Sequence, residues 1–305
     1  ALLISLIASN VHQGDLVITQ ALTFAATAAA IRHAGADPVF VDVDVETMGM
    51  SPKHLRDYLE KNGVKKNGAM YDRESGRKFA AIVPMHTFGH PVVIEKITGI
   101  AREFGLPLIE DAAESLGSYY KGTHTGTFGA AGILSFNGNK PVTTGGGGMI
   151  ITNDDALAER ARHLSTTAKV KHPWNFVHDE VGYNLRMPNI NAAVGCAQIE
   201  KLDFILENKR KTAQEYATFF QSNGVSFFTE PVDCRSNYWL NAIILEDRTE
   251  RDQFLEFSNG NGVQTRPIWT LMNKLPPYEA CAHGPLDNSI WLEDRVINIP
   301  SSVRK

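Results

Sequence analysis

Two side chains are placed where they could do covalent and proton-transfer chemistry. Lys140 sits in "SFNGNKPVTTGGGG", among small polar residues directly after a hydrophobic run, and Asp111 closes the apolar run in "LPLIEDAAESLGS". An amine held in a partly desolvated crevice condenses reversibly with a carbonyl, and a carboxylate nearby can keep a heteroaromatic nitrogen protonated. Each residue also has a plainer use. A lysine in a Gly/Asn turn is often only solvated, and an Asp at a strand end often caps the next helix.

What could bring them together is an alternation of strands and helices. The runs "DLVIT", "DPVFVDVDV", "FAAIVPMH", "LPLIEDAA", "GILSFN" and "GMIIT" read as strands. Between them "TFAATAAAIRHAG" and "VIEKITGIAREFG" have helical spacing and end on Gly35 and Gly105. This order predicts an α/β fold with a mostly parallel central sheet flanked by helices. Ligands of such sheets bind beyond the carboxyl ends of the strands. The positions to inspect are therefore Thr23, Phe24, Met85, His86, Asp111, Glu114 and the stretch from Ser135 to Lys140. Strand alternation presents Asp111 to that crevice and turns Glu110 the other way. From Asn189 a long helical run leads toward a strand, "NYWLNAIIL", and a helix, "RTERDQFLEFSNGNG". We expect a large domain over residues 1–205 and a smaller α+β domain over 206–305.

Composition narrows the function. The chain has 305 residues, 43% hydrophobic and 21% charged, with a formal charge of -4 and no basic stripe, which disfavours a nucleic-acid partner. The basic cluster "KNGVKKNG" reads as a solvated loop. Cys196, Cys234 and Cys281 lie far apart without metal-ligand or disulfide spacing, as expected in a reducing cytoplasm. No apolar run approaches the roughly 18 residues of a membrane span. The opening "ALLISLIASN" has no signal-peptide flank and resembles a helix entered midway. No metal is expected, since His86 and His90 in "HTFGH" are separated by Gly89 and followed by Pro91 and cannot share a helix face. The glycine run is not a phosphate-binding loop of the GxxxxGK type, because Lys140 precedes the glycines.

A lysine amine and a carboxylate at strand ends are the two protein groups that pyridoxal phosphate requires. Phe24 could stack on its ring or pack in the core; Ser135 and Asn137 could donate to its phosphate. The chain resembles the DegT/DnrJ/EryC1/StrS sugar aminotransferases, fold type I pyridoxal phosphate enzymes, over nearly its whole length. The resemblance rests on "LTFAATAAAIRHAGADPVFVDVD", "PMHTFG", "EDAAESLGS", "GTFGAAGILSFNGNKPVTTGGGGMI", "GYNLRMPNINAAVGCAQIEKLD" and "TRPIWTLMNKLPPY".

The resemblance implies that Lys140 is the lysine that binds the cofactor and shuttles protons. It implies Asp111 as partner of the pyridine nitrogen, Glu114 near the 3-hydroxyl, Ser135 as a phosphate ligand and Phe24 as the stacking ring. Asn184 would reach the phosphate of a neighbouring subunit, so a homodimer with shared sites is implied. Glutamate would leave its amine on the cofactor as pyridoxamine phosphate, and a nucleotide-linked keto sugar would accept it. "SFNGNK" and "TRPIWTLMNKLPPY" are most similar to members acting in bacillosamine and legionaminic acid synthesis, implying UDP-4-keto-6-deoxy-N-acetylglucosamine and a 4-amino sugar product. His86, Arg266 and Trp269 are candidates for the sugar-nucleotide site, though a strand-end histidine and a packed tryptophan are equally served by structure alone.

Two alternatives stand beside this. Sugar dehydratases of the same fold carry His where Lys140 stands, which argues against that activity, and a non-catalytic regulator would keep the fold alone. One feature departs from the family, whose members carry a Gly-Thr/Ser-Ala turn ahead of the segment corresponding to "ALLISLIA". Residues preceding Ala1 are expected to supply it, or the cofactor to be held less tightly.

Overall fold

The computed structural model describes residues 1–304. Six strands form the part that matters for the site: β1 (Leu16–Gln20), β2 (Asp37–Val41), β3 (Phe79–Val83), β4 (Ile109–Asp111), β5 (Ala131–Ser135) and β6 (Gly148–Ile151). They make two three-stranded sheets, β2-β1-β3 and β6-β5-β4. Parallel bridges at Ile82–Leu108 and Met85–Asp111 join them edge to edge. All pairings are parallel except β5 with β6. The strand that follows the glycine run is thus an antiparallel edge strand, with Gly148 opposite Ser135.

All five residues of β1 are buried, and their alternation divides the core. Leu16 and Ile18 pack with Leu55 and Leu59 of α3 (Pro52–Asn62) and with Ile94, Ile97 and Ile100 of α4 (Ile94–Phe104). Val17 faces the opposite cluster, with Ile4 and Leu6 of α1 (Leu2–Ala8), Ile31 of α2 (Ala25–His33) and Leu157 and Leu164 of α5 (Asp155–Ser165). Helices on both faces shield the parallel ladder, so a ligand is expected at the carboxyl ends of the strands. Both predicted terminal glycines adopt left-handed backbone, Gly35 at φ +83° and Gly105 at φ +69°.

The long run after Asn189 is two helices, α6 (Asn189–Ile199) and α7 (Leu202–Ser222), separated where Lys201 leaves helical backbone. Beyond α7, strands β7 (Ser226–Phe227), β8 (Asn241–Ile244), β9 (Arg266–Pro267) and β10 (Val296–Ile299) form an antiparallel sheet in the order β7-β8-β10-β9. With them go α8 (Arg248–Gly260) and α9 (Asp287–Glu293). Asp42, fully buried just after β2, accepts hydrogen bonds from the first N–H groups of α9, Asn288 at 2.9 Å and Ser289 at 2.8 Å. A carboxylate at that helix start answers its dipole and its unpaired donors.

One expectation is overturned here. The basic stretch read as a solvated loop is a β-hairpin, Gly63–Lys66 against Ala69–Asp72, turning at Asn67 and Gly68 with φ of +51° and +79°. An Asn-Gly pair with both residues left-handed is the turn that best matches strand twist, and the lysines simply occupy its exposed strand.

His90 is buried in this framework without a polar partner. It is fully buried between Phe228 (4.8 Å between ring centroids) and Tyr238 (5.2 Å), and neither ring nitrogen has a hydrogen-bond partner. Burial pushes its pKa down to about 3, against the pull of Glu230. Unfolded, the same imidazole takes up a proton near pH 6.5, so its contribution to stability is complete above that pH and is lost as pH falls toward 3. Between pH 8 and pH 5 this group alone is expected to cost about 2 kcal/mol. Urea unfolding at the two pH values should show that loss in the native chain and its absence in His90→Leu; equal pH dependence in both would contradict it.

Candidate active site

The site forms where β4 and β5 end. Alternation along β4 separates its two acids, as the sequence implies. Glu110 faces inward to the segment after it, accepting from the N–H groups of Gly126 (2.8 Å), Phe128 (2.6 Å) and Gly129 (2.9 Å) and pairing with His86 Nε2 at 3.2 Å. Burial alone would raise its pKa; the His86 ring and those backbone donors outweigh burial and hold it below the usual carboxylate value. Glu110 is thus a structural anion pinning residues 126–129 under the sheet.

Asp111 points to the other face. Its Oδ2 accepts from Thr27 Oγ1 at 2.7 Å and its Oδ1 from the Ala113 N–H at 3.2 Å. Thr27 lies in the first turn of α2, where its side chain also meets Thr23 Oγ1 at 3.0 Å. These contacts fix the carboxylate plane of a residue only 4% exposed. The helix-cap alternative for Asp111 does not apply, since residues 112–117 form turns rather than a helix.

Three residues on, Glu114 is buried and meets Lys140. Its Oε2 accepts from the Phe88 N–H at 2.9 Å, and its Oε1 lies 3.3 Å from Lys140 Nζ. Burial pushes the Glu114 carboxyl up to about 7, opposed by the Lys140 ammonium and the Phe88 N–H and assisted by the charge of Asp111. At neutral pH this acid therefore titrates beside the amine. Lys140 itself closes a turn, its N–H donating to Asn137 O at 3.0 Å, and its side chain is only 9% exposed. The solvated-turn alternative thus fails. On its other side Nζ stands 3.6 Å from the centroid of the Trp239 ring.

Around this group the remaining candidates fall into two sets. Ser135 ends β5 half-buried, its Oγ accepting weakly from the Asn137 N–H at 3.4 Å, and Asn137 is exposed next to Lys140. Phe24 starts α2 and leaves 49% of its surface exposed, so it is not a core residue. Its ring lies 5.9 Å from that of Trp269, which lies 5.1 Å from Phe88. An aromatic wall therefore runs from the mouth of the crevice to the backbone that holds Glu114. Trp269 belongs to this wall.

Three candidates do not join it. His86 is fully buried with both nitrogens used, Nε2 on Glu110 and Nδ1 accepting from the Val92 N–H at 3.2 Å, leaving nothing for a sugar. The Arg266 guanidinium turns to Asn259 Oδ1 at 3.1 Å and to Thr265 O at 2.8 Å, contacts at the end of α8. Asn184 is exposed, its Oδ1 accepting from Arg186, and touches none of the Lys140 group.

Two site residues escaped the sequence reading. Thr27 is spaced four residues from Thr23, a pattern visible in "TFAAT", and the turn entering α2 brings the two hydroxyls together. Trp239, in "NYWLN", carried no local signal, because its partner lies about a hundred residues away.

Comparison with known proteins agrees with the geometry. Residues 1–304 match the model of the DegT/DnrJ/EryC1/StrS aminotransferase family. The putative pyridoxal phosphate-dependent aminotransferase EpsN of Bacillus subtilis is 36% identical over 297 residues, covering 96% of this chain and 74% of that protein. GDP-perosamine synthase of Escherichia coli O157:H7 is 36% identical over 303 residues, 99% of this chain and 78% of the synthase. A DegT DnrJ EryC1 StrS aminotransferase from Brucella abortus superposes with a TM-score of 0.87 at 28% identity, over 99% of this chain and 78% of its own. Matched almost throughout by one family model and by relatives of that family in sequence and in shape, the chain belongs to the DegT/DnrJ/EryC1/StrS aminotransferases.

Proposed function

We propose that the chain moves an amino group from glutamate to a nucleotide-linked keto sugar, giving a 4-amino sugar, with Lys140 as the proton-carrying base. The observation that carries this reading is the Lys140 amine, its side chain only 9% exposed, 3.3 Å from the buried Glu114 carboxylate at the strand end that also carries Asp111.

The chain is a pyridoxal phosphate enzyme, and the donor set fits that cofactor. A primary amine, a carboxylate braced by Thr27 and a half-exposed aromatic ring, Phe24, answer its aldehyde, its ring nitrogen and its face. Ser135 and Asn137 would hold its phosphate, and Glu114 would approach its 3-hydroxyl. When bound, the cofactor supplies an electron sink and carries the amine between donor and acceptor.

The protein's part is positioning and proton movement. Lys140 Nζ would be the group that takes a proton from the amino donor's α-carbon and gives one back, and that serves the acceptor in the reverse order. Asp111, its orientation set by Thr27 and Ala113, keeps a proton on the ring nitrogen. Glu114 holds the amine when it is free. Phe24 and Trp269 keep water off one side of the crevice.

The same reading includes a homodimer. Trp174, Phe176, Val181 and Ile190 are each more than three-quarters exposed, and α6 has no buried residue. Apolar surface of that extent is suited to a second copy, which would bring Asn184 to the neighbouring site. Residues 1–205 form the cofactor-binding unit in this reading, and 206–305 the smaller one.

The acceptor proposed is UDP-4-keto-6-deoxy-N-acetylglucosamine. A GDP-linked keto sugar is the second reading, favoured by the 36% identity to a GDP-perosamine synthase. The cofactor's visible absorbance distinguishes them. Glutamate should bleach the loaded protein, and colour should return with the UDP-linked acceptor and not its GDP-linked counterpart. Return with the GDP sugar alone would replace the first acceptor by the second, and failure to bleach with glutamate or any other amino donor would overturn transamination.

A further inference from the structure

Trp239 comes from outside the strand ends that build the site, yet it touches the amine on which the reaction turns. Its ring centroid is 3.6 Å from Lys140 Nζ, a distance at which the face of an indole attracts an ammonium. The ring is only 6% exposed, and its Nε1–H donates to Asn139 O at 2.8 Å, so it is tied to the residue immediately before the lysine.

The surroundings fix this ring with unusual redundancy. Asn237 Oδ1 accepts from the Trp239 N–H at 2.8 Å, while Asn237 Nδ2 donates to Glu114 O (2.8 Å) and Leu116 O (2.9 Å). The backbone of Glu114 and the backbone of Trp239 are therefore stitched together by one buried amide. A side chain at position 89 would stand 1.9 Å from Asn237 Oδ1, so Gly89, at φ +92°, is what lets the amide in. From behind, the buried Lys209 donates to Trp239 O at 3.1 Å and to Ser301 O at 2.6 Å.

We propose that Glu114 and Trp239 form a resting cradle for the Lys140 amine whenever it is not joined to the cofactor, making Trp239 a positioning residue for proton transfer. The inference rests on Lys140 being the cofactor lysine. A carboxylate on one side and a π face on the other hold a free amine without consuming its reach. A long, four-carbon side chain would otherwise lose its position each time it is released. The cradle also links residues from after α7 to the lysine, so the arrangement of the two ends of the chain bears on the chemistry.

The test uses the full chain with Trp239→Leu, which removes the π face, and Trp239→Phe, which keeps one. In cofactor-free protein, trinitrobenzenesulfonate labelling of Lys140 is followed by peptide mass spectrometry at the alkaline plateau, where the rate reports access and restraint alone. Trp239→Leu should raise the rate about five-fold and Trp239→Phe less than about two-fold. In the loaded protein kcat should fall about ten-fold in Trp239→Leu, with the glutamate KM held within about two-fold, and recover in Trp239→Phe. Labelling of Trp239→Leu at the native rate, even with a lowered melting temperature, would reduce Trp239 to packing and overturn the inference. Should Trp239→Leu fail to fold, Trp239→Met carries the same readout. Borohydride reduction of the loaded native protein separates the two levels. An adduct away from Lys140 defeats the functional reading, whereas an adduct on Lys140 with unchanged labelling defeats this inference alone.

Discussion

Lys140→Ala is expected to lower turnover by about 10³- to 10⁴-fold, and borohydride reduction of the loaded variant should leave no cofactor adduct, whereas the native chain should carry it on Lys140. The size follows from the proposed reading, in which Lys140 would supply both the covalent link and the proton carrier. The experiment has a real competitor inside the molecule. Lys209 is also buried, and burial pushes its pKa down to about 8, which by itself is the property of a nucleophilic lysine. Geometry separates the two. Lys209 spends its ammonium on two carbonyls, Trp239 O and Ser301 O, behind the Trp239 backbone. Lys140 instead lies against a carboxylate that titrates near 7 and can give up its hold as the amine is used. Fragment mapping decides between them: an adduct on Lys209, or one that survives in Lys140→Ala, would sink the assignment of the base. The variant should remain folded, because removing the amine lets the buried Glu114 take a proton rather than stay as an uncompensated charge.

The placement of Asp111, Glu114 and Lys140 was legible in the sequence because it depends on two local regularities. Strand periodicity decides which face each residue of "LIED" takes, and a parallel α/β order decides that strand ends gather on one side. Where a residue's role depends on a partner distant in the chain, legibility stops. His86 stands at a strand end like the others, but Glu110, turned to the opposite face, claims its Nε2 and removes it from the crevice. Arg266 is drawn off by Asn259, seven residues earlier, whose position is set by the end of α8. Trp239 is held beside Lys140 by Asn237, which packs against Gly89, and by Lys209, all residues distant from Lys140 in the chain. The hairpin at residues 63–72 was readable from Asn67–Gly68, and the charge of the flanking lysines masked it. The division at Glu200–Lys201 between α6 and α7 had no proline or glycine to announce it.

Asp111→Asn should lower kcat by about 10²- to 10³-fold while the borohydride adduct still forms on Lys140. Asparagine matches the carboxylate in shape: its Oδ1 can still accept from the Ala113 N–H while its Nδ2 donates to the Thr27 hydroxyl, so the cavity keeps its form and the main loss is of charge. In the proposed mechanism Asp111 is the group that would keep the cofactor's ring nitrogen protonated, so removing its charge is expected to weaken the electron sink the cofactor would supply while Lys140 moves a proton. Thr27→Val provides the graded comparison. It deletes a hydrogen bond of 2.7 Å that orients the carboxylate, leaves the charge in place, and should cost about ten-fold. The two effects should also differ in kind: Asp111→Asn changes the visible spectrum of the loaded protein as the ring nitrogen loses its proton, and Thr27→Val leaves the spectrum nearly native. A kcat for Asp111→Asn within about three-fold of native would show that ring protonation does not depend on this acid, and the electrostatic half of the proposed mechanism would fall.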